Sequence, residues 1–488
     1  MPISSMSEFA ISFDESASFA RLSGDFNPLH LDRVRARRTQ YGRTVVHGIH
    51  ALLKALDGVG AVMSLDRFEP VAIACTFNGP IPTDAVVRVD ASLNASGDRL
   101  RLVGEAEGRS AFSLTVDLQH ARAGRLDTLA GSDFDPAPPR TQAMPAPGQE
   151  GAAPIQLASA RYSRLFPWLA RGCNADWVGD LIATTRIVGM ECPGMHSIYS
   201  GLKLRRSTGP ASEGARWMRY RVEKNDPRFR LVRLGVAGAA FEGTIEAFLR
   251  PAPVDQQSLA DISSTVEEAA FLGQRALVIG GSRGLGELTA KILMAGGADV
   301  TITYALGRDD AERVADEARM LGRRCSTMQM DVTAPMNDGT AKSLAAKGFS
   351  HIYYFASPQI FKNRAGSWDH GLFENFCRVY LRAFAIVAEC VLSGEKHRHD
   401  PVRMFFPSTV FLDHPEDGFA EYCAAKAAGE SLCDYFASKH RAIFARPRLP
   451  RMRTDQTSGL STFDAEEPFA VMHPALLAFH NALPDPGA

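Results

Sequence analysis

The chain has no apolar run long enough to cross a bilayer, and its N-terminus shows no charged-then-apolar leader. Neither a membrane span nor a lipid anchor is therefore expected. It also lacks an excess of either charge: the formal net charge is −1 over 488 residues, which excludes a polyanion partner such as nucleic acid. Its eight cysteines (Cys75, Cys173, Cys192, Cys325, Cys377, Cys390, Cys423, Cys433) show no paired metal-ligand spacing. They read as reduced thiols of a cytoplasmic protein with no metal centre. The length suffices for three domains of ordinary size, each with its own core.

Chemistry concentrates first between Ser23 and Gly48, which reads Ser-Gly-Asp-Phe-Asn-Pro-Leu-His and closes on Tyr-Gly-Arg-Thr-Val-Val-His-Gly. Asp25 and His30 are an acid and a base five residues apart, and the intervening Asn27-Pro28 favours a turn that lets both face one pocket. A carboxylate and an imidazole can hold one water, with one group taking a proton and the other giving one. After Val45-Val46-His47-Gly48, the segment from Ile49 to Leu56 has a helical apolar pattern, so Gly48 falls where a helix begins. A free N–H there can bind a thioester oxygen as it gains charge, and the absence of a side chain lets the thioester approach.

This segment resembles the signature of the MaoC-like (R)-specific enoyl-CoA hydratases and dehydratases over more than twenty residues. The resemblance implies a hot-dog fold, a long helix wrapped in a curved antiparallel sheet. It also implies Asp25 and His30 as the catalytic pair, Gly48 as oxyanion donor, and Asn27 and His47 on the substrate side. Leu56 stands where some members have a serine. Arg33, Arg35, Arg37 and Arg38 follow closely. They suit a CoA phosphate or an acidic carrier protein, and equally a solvated helix face.

Alternating segments such as Val87-Arg88-Val89-Asp90-Ala91 predict half-buried strands from Phe68 to His120, so a first domain spans residues 1–121. Pro136, Pro138, Pro139, Pro145 and Pro147 mark residues 122–154 as a linker. Residues 155–252 carry a weak internal repeat: Pro193-Gly194-Met195-His196 and the six residues after it can be laid on His47 to Leu56. A second, degenerate hot-dog unit is expected there, without an Asp-Asn-His cluster although Gly179-Asp180 is present, completing the first unit's sheet and acyl tunnel. His196 reads as a hydrogen-bonded core or interface residue, with a second active site as the alternative.

A third domain is expected over residues 273–460. The apolar strand Arg275–Ile279 feeds Gly280-Gly281-Ser282-Arg283-Gly284-Leu285-Gly286, and a helix-forming segment follows. Such a turn presents backbone N–H groups and a helix N-terminus to a pyrophosphate. The next strand, Asp299–Tyr304, ends without an acid to hold a ribose hydroxyl, and Arg283 and Arg308 attract a 2′-phosphate. NADP(H) is therefore expected over NAD(H). Asp331-Val332 lies where a third strand would end, suited to an adenine contact or to a helix cap.

Tyr422 and Lys426 are four apart, so they share a helix face, where an ammonium lowers the pKa of a phenol that protonates a carbonyl oxygen receiving hydride. Ser408 would hold that oxygen. In this order after a dinucleotide turn, the region resembles the short-chain dehydrogenase/reductases over about Gln274 to Gln456, and within them the 3-oxoacyl thioester reductases. That implies a doubly wound parallel sheet of Rossmann type and a homodimer. Departures are Tyr354-Phe355-Ala356-Ser357 for Asn-Asn-Ala-Gly, Tyr380 at the relay asparagine and Leu449-Pro450 for Pro-Gly. Ala356 remains in the cofactor set. Residues 461–488 read as a C-terminal tail.

The sequence thus points to a bifunctional enzyme acting on an acyl-CoA or acyl-carrier-protein thioester. The reductase would make the 3-hydroxyacyl thioester that the hydratase unit dehydrates to the trans-2-enoyl product. A hydratase with a silent reductase domain and a non-catalytic acyl-thioester-binding scaffold are the alternatives.

Overall fold

Among the described residues, strand and helix patterns assemble around one core in the first half of the chain and, in the second, around a core on each face of a parallel sheet. The computed structural model describes residues 3–39, 41–63, 68–120, 131–172, 175–207, 216–335, 338–360, 367–393, 401–455, 457 and 465–482. They divide into two units, Met1–Ala252 and Pro253–Ala488. No helix among the described residues is long and apolar enough to cross a membrane. Seven cysteines are free thiols, and Cys173 lies outside the described residues.

The first unit is built on ten antiparallel strands: β1 (Ile3–Ala10), β2 (Phe68–Phe77), β3 (Val86–Leu93), β4 (Arg99–Ala106), β5 (Arg109–His120), β6 (Glu150–Pro154), β7 (Ser197–Arg206), β8 (Trp217–Asp226), β9 (Leu231–Ala237) and β10 (Phe241–Leu249). Their order is β1-β3-β4-β5-β2-β7-β10-β9-β8-β6, so five strands from each half of the unit join at the β2–β7 pairing, Ala72 opposite Arg205 through Thr76 opposite Gly201. In β3 and β4 every second side chain is buried, as period-two alternation requires of a sheet with one face on the core. Against that face lie the helix Gly48–Met63 and the helix Ala175–Arg186, which runs on into a π-helical turn, Ile187–Glu191. The helix from Gly48 is apolar nearly all round because it is enclosed, with Ile49, Leu52, Leu53 and Val59 fully buried.

Several sequence expectations change here. The proposed repeat set residues 193–202 on the helical segment 47–56, yet Ser197–Arg206 is a strand and the second half's helix lies upstream at Ala175–Arg186. A short Gly-x-His match carries no periodicity, so it aligned a strand entry with a helix entry. The expected linker, 122–154, is not a free tether where it is described. Phe134 N–H bonds Arg21 C=O at 2.7 Å, Arg140 N–H bonds Met190 C=O at 2.9 Å, and Glu150–Pro154 is an edge strand paired with β8. Proline removes donors but leaves carbonyls, so a Pro-rich segment can still be bonded along its length. Residues 122–130 of it lie outside the described residues.

The second unit holds a parallel sheet: β11 (Arg275–Ile279), β12 (Asp299–Tyr304), β13 (Cys325–Gln329), β14 (His351–Tyr354), β15 (Val402–Phe405) and β17 (Ala442–Ala445), in the order β13-β12-β11-β14-β15-β17. A parallel pair, β16 (Ser408–Thr409) with β18 (Arg448–Leu449), lies beyond it. Strand order reverses between β11 and β14, which opens a crevice at the carboxyl ends of the strands. Two segments outside the expected domain limits belong to this core. Leu259, Ile262 and Phe271 are buried in it from the N-terminal side, and the presumed tail contains a helix, Pro468–Asn481, that buries Met472, Leu476 and Phe479. Pro474 within that helix disguised it. The remaining tail residues, 461–464 and 483–488, lie outside the described residues.

Asp180, singled out by its Gly-Asp dipeptide, sits inside the helix Ala175–Arg186 and accepts the N–H groups of Ala239, Ala240 and Phe241 at 2.8–3.0 Å. It therefore closes the β9–β10 hairpin. Asp180→Ala leaves those donors without their acceptor, and a loss of about 2–4 kcal/mol is expected in the first unit's urea unfolding.

Candidate active sites of the two units

The first site begins with a helix that ends where a carboxylate is needed. Ser12 and Glu15 close a capping box at the start of Phe13–Ser23, and Gly24 ends it with φ at 72°. Asp25 is thereby turned inward and is 1 % exposed. Its Oδ1 accepts the Asn27 N–H at 3.2 Å and its Oδ2 accepts the Thr185 hydroxyl at 2.8 Å. His30 follows on the short helix Pro28–Leu31. Its Nδ1 lies 2.7 Å from the carbonyl of Val45, which can only accept, so the proton sits on Nδ1 and Nε2 is left as a base.

His47 Nε2 lies 3.0 Å from the Asp25 carbonyl, and the His47 ring stacks on His30 with centroids 3.8 Å apart. One ligand-type atom from each of Asp25, His30 and His47 falls within 4.8 Å of the others. The turn reading thus brings Asp25 and His30 together. Gly48 opens the helix Gly48–Met63, where N–H groups have no intrahelical acceptor. A Cβ on Gly48 would lie 2.8 Å from Phe77 Cε1, so this position is packed against an aromatic wall.

Burial raises the Asp25 carboxyl above its usual range against the opposing pull of His30, the Thr185 hydroxyl, the Asn27 N–H and Arg186. Burial likewise lowers His30, although the Asp25 charge and the Val45 carbonyl oppose it. His47 is pushed well down by burial and by His30, and His50 to about 3 by burial, Lys54 and His30. The two groups that face each other are therefore drawn toward one shared proton.

Two residues expected on the substrate side have other duties. Asn27 is buried. Its oxygen accepts the Leu29 N–H at 3.1 Å, and its amide donates to the carbonyls of Gly189, Gly194 and Met195 at 3.0–3.3 Å. Its hydrogen-bonding capacity is consumed in tying the catalytic turn to the second half of the unit. His47 is fully enclosed between Phe19, His30 and the Asp25 backbone, so it orients the pair instead of meeting substrate. Of the arginine run, Arg33 lies over the Phe13 ring and Arg35 pairs with Asp32, as on an ordinary helix face. Burial lowers the pKa of His196, and the charges of Arg250 and Arg230 add to this.

Sequence reasoning missed Thr185 and Gly189. Thr185 meets Asp25 across 160 positions of chain, and a Cβ on Gly189 would lie 2.2 Å from Asp25 Oδ1. No local pattern signals either contact.

In the second unit, Gly280 follows β11 with φ at 76°, and a Cβ there would lie 2.9 Å from the Ala356 nitrogen, at the end of β14. Gly286 packs so closely that a Cβ would lie 2.2 Å from the Gly280 carbonyl. The turn and the N-terminus of Gly284–Ala295 are thus drawn together at the crevice, the arrangement that fits a pyrophosphate. Ser282 is buried and Leu285 packs on the core. Arg308 Nε donates to Tyr304 Oη at 3.1 Å, while Arg283 pairs with Asp455 at 3.8 Å. Asp331 accepts both the N–H and the hydroxyl of Thr333, a local turn, and Val332 is half buried beside it.

The catalytic set differs from the expectation at its hydroxyl. Ser408 Oγ donates to Glu430 at 2.5 Å, and Glu430 is held by Arg448. The hydroxyl that acts on the Tyr422 phenol, opposing the rise that burial causes, is that of Thr409. Neighbours on a strand point to opposite faces, so only one of Ser408 and Thr409 can meet the tyrosine. Lys426 shares the helix Ala420–Lys439 with Tyr422, but its Nζ donates to the Pro407 carbonyl at 2.7 Å and lies 3.8 Å from the Tyr380 ring centroid. Burial lowers it to about 7, against the pull of Cys433 and Glu430. Burial raises the Tyr422 phenol against the opposing pull of the Thr409 hydroxyl, and Lys426 Nζ lies 5.9 Å from the Tyr422 ring centroid. Tyr380 Oη lies 2.6 Å from Ser357 Oγ, so two of the family departures contact each other.

Comparison with known proteins agrees with this division. A MaoC-like domain model matches residues 2–108, and a short chain dehydrogenase model matches residues 274–357. The chain thus carries a MaoC-like domain toward its N-terminus and a short-chain dehydrogenase domain toward its C-terminus. Among curated proteins, the short-chain dehydrogenase/reductase FrzI of Cladobotryum sp is 28 % identical over 177 residues, 35 % of this chain and 65 % of the relative. Tetrahydroxynaphthalene reductase PfmaG of Pestalotiopsis fici is 26 % identical over 181 residues, 36 % of this chain and 64 % of the relative. The chain therefore spans just under two thirds of these relatives' length. Among solved structures, a short chain dehydrogenase from Burkholderia cenocepacia in complex with NADP is 25 % identical with a TM-score of 0.34, covering 38 % of this chain and 78 % of that one. The oxidoreductase yciK from E. coli is 17 % identical with a TM-score of 0.38, covering 44 % and 91 %.

For a carbonyl reduction by the second unit, Thr409→Val is expected to lower the rate by about a hundredfold, whereas Ser408→Ala is expected to cost much less. Steady-state rates of the two variants with acetoacetyl-CoA distinguish them.

Proposed function

We propose that this MaoC-like and short-chain dehydrogenase chain is a bifunctional acyl-thioester enzyme. Its first unit would interconvert (R)-3-hydroxyacyl and trans-2-enoyl thioesters, and its second would reduce 3-oxoacyl thioesters with NADPH. The observation that carries the reading is the enclosed pair Asp25 and His30, ligand atoms within 4.8 Å, beside the open N-terminus of the Gly48 helix. The two five-strand halves, each with one enclosed helix, support two hot-dog units of which only the first bears a catalytic pair.

In hydration, one member of the pair takes a proton from water as its oxygen adds to C3 of the enoyl group, and the other delivers a proton to C2. His30, with Nε2 free, is suited to the first task, and the Asp25 carboxyl, held high by burial, to the second. The Gly48 N–H stabilises the thioester oxygen while it is enolate-like. Dehydration reverses each step.

In the second unit, the Gly280–Gly286 turn and Gly284 helix N-terminus would hold the cofactor pyrophosphate, and Arg308 beside Tyr304 favours NADP(H). A nicotinamide, when bound, supplies hydride to the carbonyl carbon. Thr409 would hold the carbonyl oxygen, Tyr422 would give it a proton, and Lys426 would restore that proton. The thioester carrier would be CoA or a carrier protein, and the reductase helices suit a homodimer. One observation favours a second reading, a hydratase with a silent reductase: Lys426 lies on the Tyr380 ring and near neutrality.

Two assays on the purified protein test this. With crotonyl-CoA, loss of enoyl absorbance is expected and should fall about 10²–10⁴-fold in Asp25→Asn and in His30→Ala. With acetoacetyl-CoA, NADPH oxidation is expected and should be lost in Tyr422→Phe. Unchanged turnover in the first two variants would sink the hydratase assignment. Hydration without NADPH oxidation on CoA and carrier-protein substrates would favour the silent reductase.

A further inference from the structure

The half of the first unit that has no acid–base pair of its own nevertheless reaches the pair in the other half. Thr185, in the last turn of Ala175–Arg186, donates its hydroxyl to Asp25 Oδ2 at 2.8 Å, with both residues buried. Immediately after it the helix widens into the π-helical turn Ile187–Glu191, in which the Cys192 N–H bonds the Ile187 carbonyl at 2.7 Å. That widening brings Gly189 against the carboxylate, where a Cβ would stand 2.2 Å from Oδ1 and 2.5 Å from Oδ2. The Gly189 carbonyl also receives the Asn27 amide, and Arg186 Nη1 lies 3.4 Å from the Gly24 carbonyl. The end of one helix thus contacts the catalytic turn on both sides of Asp25 and at its side chain.

The consequence is chemical as well as structural. A buried carboxylate without donors would protonate and rotate freely, and its ionised form would be lost. Here each oxygen takes one donor from the chain, Oδ1 from the Asn27 N–H and Oδ2 from Thr185, and each keeps a lone pair for water or substrate. Asn27 supplies its donor through the backbone, which no side-chain substitution short of proline removes. Thr185 is the side chain on which the second oxygen depends.

We propose that Thr185 is a positioning residue for the hydratase reaction, fixing the Asp25 carboxylate in place, so that the second half of the unit contributes to catalysis itself. This rests on the hydratase reading above. Removing the hydroxyl raises the proton affinity of Asp25, so the profile of kcat/KM against pH moves to higher pH.

The test compares Thr185→Val, which keeps the shape, with Thr185→Ser, which keeps the hydroxyl. With crotonyl-CoA, Thr185→Val is expected to lose about 10–100-fold in kcat with KM nearly unchanged and its pH profile displaced upward, while Thr185→Ser stays close to the parent. Gly189→Ala, whose methyl displaces Oδ1, should also lose kcat. A carboxyl titration by ¹³C NMR, with the Asp25 resonance identified through Asp25→Asn, should show a higher midpoint in Thr185→Val than in the parent. Parent-like kcat and pH profile in Thr185→Val, or equal losses in the Val and Ser variants, would overturn the proposal. If the parent protein hydrates no enoyl thioester, the hydratase reading fails; the carboxyl titration still decides whether Thr185 governs Asp25, and an unmoved midpoint overturns that too.

Discussion

A carboxylate taken out of water must be met by donors or it takes up a proton, and much of the first unit's architecture answers to that requirement at Asp25. The Gly24 helix end turns it inward, the Asn27 N–H and the Thr185 hydroxyl each take one oxygen, and Gly189 gives way to it. Burial still holds the group above its usual range, and the same burial holds His30 below its own. Two groups shifted toward each other in this way are the kind of pair that can exchange a proton, which is what the proposed addition of water requires.

The same economy explains why residues expected on the substrate side have their polar groups engaged by the protein itself. Asn27 spends its side chain on one short helix and three carbonyls, and His47 spends its ring on the Asp25 backbone and the face of His30. Both act one step behind the chemistry. Their presence in a motif reflects the precision with which two side chains must be held, and that precision is not visible as a separate pattern in the sequence.

In the second unit the dinucleotide turn was legible because its cause is local: a strand end, left-handed glycines and a helix start must occur in that order. The catalytic hydroxyl was not. Ser408 and Thr409 are adjacent and chemically alike, and which of them faces Tyr422 depends on the phase of a two-residue strand set by pairing with Arg448 and Leu449. The surroundings of Lys426 were equally hidden, since Tyr380, Phe406 and the Pro407 carbonyl come to it from other elements.

Neighbouring residues decide among themselves the acid–turn–base spacing from Asp25 to His30, the helix opening at Gly48, the glycine turn, the shared face of Tyr422 and Lys426, and the alternation of β3 and β4, and all of these are legible in the chain. Only the tertiary structure decided what distant segments bring to those places. Thr185 and Gly189 reach Asp25 across more than half of the unit, the Pro-rich segment is bonded into both halves, and a proline-containing C-terminal helix completes the second core. The division follows from range: helix periods, turns and strand alternation are written within about ten residues of chain, whereas the satisfaction of a buried charge depends on whichever part of the fold closes over it.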